Sequence, residues 1–190
     1  MATPNAITIG NLTNVVDLRG QLPGTEHYET RPLSHLGPGG PLKWLAVHHT
    51  GVQRDNSARE IASYHANILG WPGIGYHFLV HIGGRIDYVG DILTIRYNVA
   101  RQNHHVIGIC LAGDFTRQSP GLPQLEAARL LLSNLQYALG WPVPIAGHGE
   151  VALPGFGTAC PGNTFLLGSR WKDRIVTQRS LESLSFEPQA

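Results

Sequence analysis

The sequence predicts an α/β fold, a single domain in which a central mixed β-sheet is flanked by helices. Two apolar patterns alternate along the chain: short continuous runs that suit buried strands, and longer stretches with apolar residues at helical spacing. A Gly-Gly pair between two of the runs inserts an antiparallel hairpin into this alternation, which makes the sheet mixed. The 190 residues fit one domain at roughly 100 to 200 residues per domain.

Residues 1–41 are rich in turn-formers and end in Leu36-Gly37-Pro38-Gly39-Gly40-Pro41; they read as a partly irregular N-terminal arm in which only Asn14 to Leu18 suggests extended chain. Trp44-Leu45-Ala46-Val47-His48 suits a buried strand. Ser57 with Glu60 three residues later is a capping-box signature, and Ile61, Tyr64, His65, Ile68 and Leu69 continue at helical spacing until Gly70. Tyr76 to Val80 and Arg85 to Val89 flank Gly83-Gly84 as a hairpin. Val106-Ile107-Gly108-Ile109-Cys110-Leu111 is apolar throughout, as expected of a central strand covered on both faces. Pro123 suits the first turn of a helix whose buried stripe is Leu125, Ala128, Leu131, Leu132, Leu135 and Leu139, ended by Gly140 and Pro142. Val143 to Ala146 reads as one more short strand, and Ser169 to Gln178 as a last helix carrying Trp171, Ile175 and Val176. Residues 181–190 form a tail.

Charged residues make up 14%, against roughly 25% in an average globular protein, and the net charge is +1. Such a chain lacks the clustered basic surface that grips a phosphate backbone, so nucleic acid is not an expected partner. Residues 1–13 lack the basic start and apolar core of a secretory signal, and no apolar stretch reaches 18 residues, so neither signal peptide nor stable membrane association is expected. Two cysteines, Cys110 and Cys160, exclude a disulfide-dense scaffold but leave open a single redox-sensitive bridge. Ten histidines raise the question of ligands.

Three segments far apart in sequence end a strand or follow one: Val47-His48-His49-Thr50, Gly147-His148-Gly149-Glu150 and Thr158-Ala159-Cys160-Pro161-Gly162. A catalytic zinc takes three protein ligands and leaves a fourth position for water, and two His with one Cys meet that need. No local Cys-x-x-Cys or His-Glu-x-x-His motif announces a metal, so the spacing alone leaves these side chains as either ligands or ordinary buried groups.

His48-His49-Thr50, Gly75-Tyr76-His77-Phe78, Ile107-Gly108 with Gly113-Asp114-Phe115, Gly147-His148 and Ala159-Cys160-Pro161-Gly162 occur in the order and at the approximate separations of the type 2 N-acetylmuramoyl-L-alanine amidases. That family includes amidase-type phage lysozymes and the peptidoglycan recognition proteins, and the chain resembles it from about Leu42 to Arg174. The resemblance implies an amidase/peptidoglycan recognition protein-like fold with a zinc amidase domain over residues 42–180. It implies Zn2+ held by His48, His148 and Cys160, with Tyr76 and Thr158 as catalytic hydrogen-bond donors. The implied reaction is hydrolysis of the amide between N-acetylmuramic acid and L-alanine in peptidoglycan by a monomeric phage endolysin, made in the cytoplasm and acting on the wall after release. The alternative within the family is a muramyl-peptide binding module without catalysis, although members of that kind typically lose the cysteine.

Thr158 stands where many phage members carry a Lys, so it offers a hydroxyl rather than a charge. A His commonly found before the Ile-Gly strand is absent from Asn98 to Gln102. Leu153 to Gly157 lengthens the interval between His148 and Cys160. His49, Asn103 and Trp71 are placed among substrate-binding residues, although His49, adjacent to His48 on a strand, points to the opposite face and Trp71 also suits packing. Glu150 reads as structural, and Cys110 as a buried small hydrophobe.

Overall fold

A computed structural model describes residues 12–176. Six strands form one sheet: β1 Val15–Asp17, β2 Trp44–His49, β3 Phe78–Val80, β4 Ile86–Tyr88, β5 Val106–Leu111 and β6 Ile145–Gly147, in the order β1-β4-β3-β5-β2-β6. Among these six strands only the β3–β4 hairpin pairs antiparallel; β1 with β4, β3 with β5, β5 with β2 and β2 with β6 are parallel. The expected mixed sheet is therefore present. Residues 15–17 add an edge strand to it, which gives the N-terminal segment a place in the sheet.

The two faces of the sheet differ in side-chain size. Leu45 and Val47, Phe78 and Val80, and Ile107, Ile109 and Leu111 point to one face, where they pack on α2, Leu122–Leu139. The predicted stripe of α2 is buried at Leu125, Ala128, Leu131, Leu132 and Leu135, and Gly140 ends the helix in the left-handed conformation at φ 73°. Trp171 and Phe165 close the far end of this core. The opposite face carries Leu79 and Val106 but is otherwise small, with Ala46, Gly108, Cys110 and Ala146, and α1, Ala58–Asn67, lies over part of it. Small residues on that face leave room for polar side chains between sheet and loops.

α1 begins with the predicted capping box: the Ser57 hydroxyl accepts from the Glu60 N–H and the Glu60 carboxylate accepts from the Ser57 N–H. Its stripe differs from expectation. Ile61 and His65 are buried together with Ala58 and Ala62, which are the i, i+3, i+4 and i+7 positions of one face, while Tyr64 falls off that face and Ile68 and Leu69 lie beyond the helix end at Asn67, so all three are exposed. The short strand expected at Val143 to Ala146 falls at Ile145–Gly147. The last helix is a single turn, α4 Lys172–Ile175, and Gln178 together with the tail 181–190 lies outside the described residues. Both cysteines are free thiols. No helix among the described residues is long and apolar enough to cross a membrane.

Candidate metal centre

Parallel pairing of β2 with β6 sets Val47 opposite Gly147. One residue further, at the carboxyl ends of both strands, stand His48 and His148, their rings 4.8 Å apart. His148 opens α3, His148–Val151, a single turn whose Glu150 carboxylate accepts from the Gly147 N–H at 2.7 Å and pairs with Lys172. Glu150 thus holds the turn in place.

The third donor arrives from a loop. Gly149 N–H donates to the Cys160 carbonyl at 2.8 Å, and His49 N–H donates to Cys160 Sγ at 3.4 Å, which locks the thiol beside β2. Gly flanks His148 on both sides because residues 158–161 pass so close: a Cβ at 147 would lie 2.7 Å from Pro161 Cδ, and one at 149 would lie 2.7 Å from the Thr158 carbonyl. His48 Nδ1 lies 3.7 Å from Cys160 Sγ, and one donor atom each of His48, His148 and Cys160 lies within 4.8 Å of the others.

The donor chemistry fits a zinc ion. Two ligands of one tetrahedral zinc are separated by roughly 3.5 Å given ordinary Zn–N and Zn–S lengths, close to the His48–Cys160 spacing. Burial, followed by the neighbouring His148, holds His48 well below the usual imidazole range, and burial, followed by His49, lowers His148. Both rings are thus neutral at pH 7, the form in which an imidazole can act as a ligand. Burial pushes the Cys160 thiol up to about 12, partly offset by the His49 N–H. A thiolate at this point therefore calls for a cation at the same point.

Tyr76 stands against this group, its ring 5.2 Å from that of His48. Burial raises the phenol well above its ordinary value, as do Cys110 and Cys160, so the hydroxyl keeps its proton and can donate. Thr158 Oγ1 accepts from the Cys160 N–H at 3.1 Å, which leaves the hydroxyl proton of this exposed residue free to point outward.

The remaining predicted contact residues have partners within the fold. His49 Nδ1 accepts from the Phe115 N–H at 3.1 Å, on the face away from His48. Asn103 Oδ1 accepts from the N–H groups of Asn98 and Val99 and shapes that loop. Trp71 is half-buried, 4.7 Å from the His65 ring and 5.9 Å from that of Tyr97. His77 is wholly buried, accepting from the Gly108 N–H and bonded to the Thr94 carbonyl.

Two residues near the centre were not singled out by motif. His65, read only as part of a helical stripe, accepts from the Gly75 N–H at 3.0 Å and packs its ring on that of Tyr76. Asn98, at the start of the 98–102 stretch that lacks a His, has Oδ1 3.2 Å from His48 Nε2. The available signal was Gly108: a residue without side chain inside a wholly buried strand marks a close approach, here by the Asn98 side chain.

Fold and site together define a class: an α/β domain with a three-donor nitrogen and sulfur group at the carboxyl ends of neighbouring parallel strands. Residues 38–163 match the family model described as N-acetylmuramoyl-L-alanine amidase. The chain belongs to this amidase family. Among curated relatives, the endolysin of Enterobacteria phage T3 is 36% identical over 150 residues, 74% of this chain and 93% of that protein. Peptidoglycan-recognition protein SC1a of Drosophila melanogaster is 28% identical over 138 residues, 67% of this chain and 71% of that one. Among solved structures, the Ph2119 endolysin of a Thermus scotoductus bacteriophage aligns with a TM-score of 0.67 at 24% identity, covering 86% of this chain and 99% of that one. A bumblebee recognition protein, PGRP-SA, aligns at 0.68 and 20% identity, covering 84% and 93%. These two likenesses show the fold.

Proposed function

We propose that the protein is a zinc-dependent N-acetylmuramoyl-L-alanine amidase that cleaves the bond between N-acetylmuramic acid and L-alanine in peptidoglycan. The observation that carries the reading is the convergence of His48, His148 and Cys160 donor atoms at the ends of β2 and β6. His48 and His148 as neutral imidazoles and Cys160 as thiolate would hold the ion. Zinc held there would supply a Lewis acid and the means to make water a nucleophile at neutral pH.

The chain's own residues do the rest. Tyr76, kept protonated by burial, donates to the oxygen of the lactyl carbonyl as negative charge develops on it. Thr158 adds a second, neutral donor from the opposite loop. His65 holds the Gly75-Tyr76 backbone, so the phenol is aimed before substrate arrives. Residues 42–180 form the catalytic domain, with the N-terminal segment bracing the sheet. The relatedness to phage endolysins supports a role in host lysis, with synthesis in the cytoplasm and action on the wall after release; in this reading the protein is a monomer and its partner is the wall polymer, not nucleic acid or membrane.

The deciding experiment incubates the zinc-loaded protein with purified peptidoglycan and assays new L-alanine amino termini. The expected result is their release, abolished by chelation and by Cys160→Ser. Wall binding with no new termini from the loaded protein overturns the reading in favour of a binding module.

A further inference from the structure

The structure assigns Asn98 as a positioning residue that fixes the ring tautomer of His48, so that Nδ1 and not Nε2 is the metal-binding nitrogen. The inference rests on the reading of His48 as a ligand. Asn98 Nδ2 donates to two carbonyls, those of Gly75 at 3.0 Å and Arg96 at 3.1 Å. Turning the amide over would set its oxygen against both carbonyl oxygens, so these contacts fix which end faces the histidine. Oδ1, an acceptor only, lies 3.2 Å from His48 Nε2. That nitrogen must therefore carry the ring proton, and Nδ1 keeps its lone pair. Nδ1 is also the atom 3.7 Å from Cys160 Sγ.

The amide is itself held on its backbone side. Asn103 Oδ1 receives the N–H groups of Asn98 and Val99 at 3.0 and 2.9 Å. On its other side it fills the space over Gly108, where a Cβ would lie 2.7 Å from Asn98 Cγ. Asn98 thereby joins three sequence features: the lone glycine of β5, the Gly75-Tyr76 turn and the strand-end histidine. Through the Gly75 carbonyl the same amide links the His48 ring to the backbone preceding Tyr76. An imidazole oriented this way loses less freedom on binding metal, and outer hydrogen-bond partners of ligand histidines are typically worth about 10- to 100-fold in metal affinity.

The test is long-range 15N–1H NMR of histidine-labelled protein, with and without zinc, combined with zinc affinity measured against a chromophoric chelator. The expected His48 signature is Nε2–H in the zinc-free state and unchanged on loading, with Nδ1 the nitrogen whose shift moves. Asn98→Leu should give a mixed tautomer and bind zinc about 10- to 100-fold more weakly, and Asn98→Asp, which retains an acceptor, should keep Nε2–H. A wild-type His48 protonated on Nδ1, or a folded Asn98→Leu with zinc affinity within about twofold, overturns the assignment. If Asn98→Leu does not fold, the wild-type tautomer decides. A protein that binds zinc through His48 Nδ1 yet cleaves no peptidoglycan would sink the amidase reading and leave this one standing.

Discussion

At the scale of single residues, the phenol of Tyr76 and the hydroxyl of Thr158 contribute differently. Tyr76 is fixed on two sides, by its packing on the His48 and His65 rings, and its proton is secured by burial. Tyr76→Phe keeps that packing and removes only the donor, so kcat should fall by about 10²- to 10³-fold while zinc affinity stays within about twofold, as for loss of one preorganised oxyanion donor. Steady-state kinetics on defined muropeptides, paired with metal titration, checks both numbers; an unchanged kcat removes Tyr76 from the chemistry. Thr158 is exposed on a loop and is less well fixed. Thr158→Val should cost less, roughly 10-fold in kcat, because an exposed hydroxyl competes with water for the same role. A larger loss than that of Tyr76→Phe would reverse the ranking of the two donors.

At the scale of elements, the loop between β2 and α1 is fastened twice close to the start of α1. The capping box closes the start of α1, where the Ser57 N–H, followed by Arg54 and the Ser57 hydroxyl, holds the Glu60 carboxyl at about 2. Ser57→Ala should cost about 0.5–2 kcal/mol, the usual loss for a helix cap, read as a shift in the denaturant midpoint. Two residues before the cap, Asp55 of the loop faces His81 at the end of β3, which sits between that carboxylate and Asp87 of β4, each 2.8 Å from a ring nitrogen, with Arg85 beside them. Burial alone would lower the His81 pKa, but its hydrogen bonds to Asp87 and Asp55 outweigh burial and raise it. Because the folded value lies above the unfolded one, this clasp stabilises fully below the unfolded imidazole pKa and is lost as pH rises through the folded value. Asp55→Asn should therefore destabilise by about 1 kcal/mol near pH 5.5, after discounting for its partly exposed carboxylate, and by much less near pH 8.5. Urea midpoints of both proteins at the two pH values test the sign; an equal loss at both would mean that His81 is not charged in the clasp.

At the scale of the whole molecule, the division between what sequence reveals and what it hides follows the range of the interactions. Local patterns are written in adjacent residues: the capping box at Ser57, the left-handed stop at Gly140 and the stripe of α2 could be read directly because each involves contacts a few residues apart. His48, His148 and Cys160 could be read as strand-end motifs, and the family resemblance grouped them, but the register that sets Val47 opposite Gly147 is a pairing across a hundred residues that no local spacing encodes. Asn98 escaped for the same reason: its partners, Gly75, Arg96, His48 and Gly108, come from four places in the chain, and an asparagine in a loop has no periodicity to betray it. This long-range assembly has a thermodynamic consequence. The three donors belong to β2, the turn after β6 and a loop ending 112 residues beyond His48, so the unfolded chain does not present them together, and zinc should bind the folded state far better than the unfolded one. By linkage, zinc at about 100 times its Kd should add about 2.7 kcal/mol, which for a domain of this size raises Tm by roughly 5 to 11 °C. The increment should vanish with chelator, fall sharply in Cys160→Ser, and survive in Tyr76→Phe, whose donor set is intact. Calorimetry of the three proteins with and without zinc makes the comparison, and a wild-type Tm that does not respond to zinc would mean that the converging donors do not form a metal site.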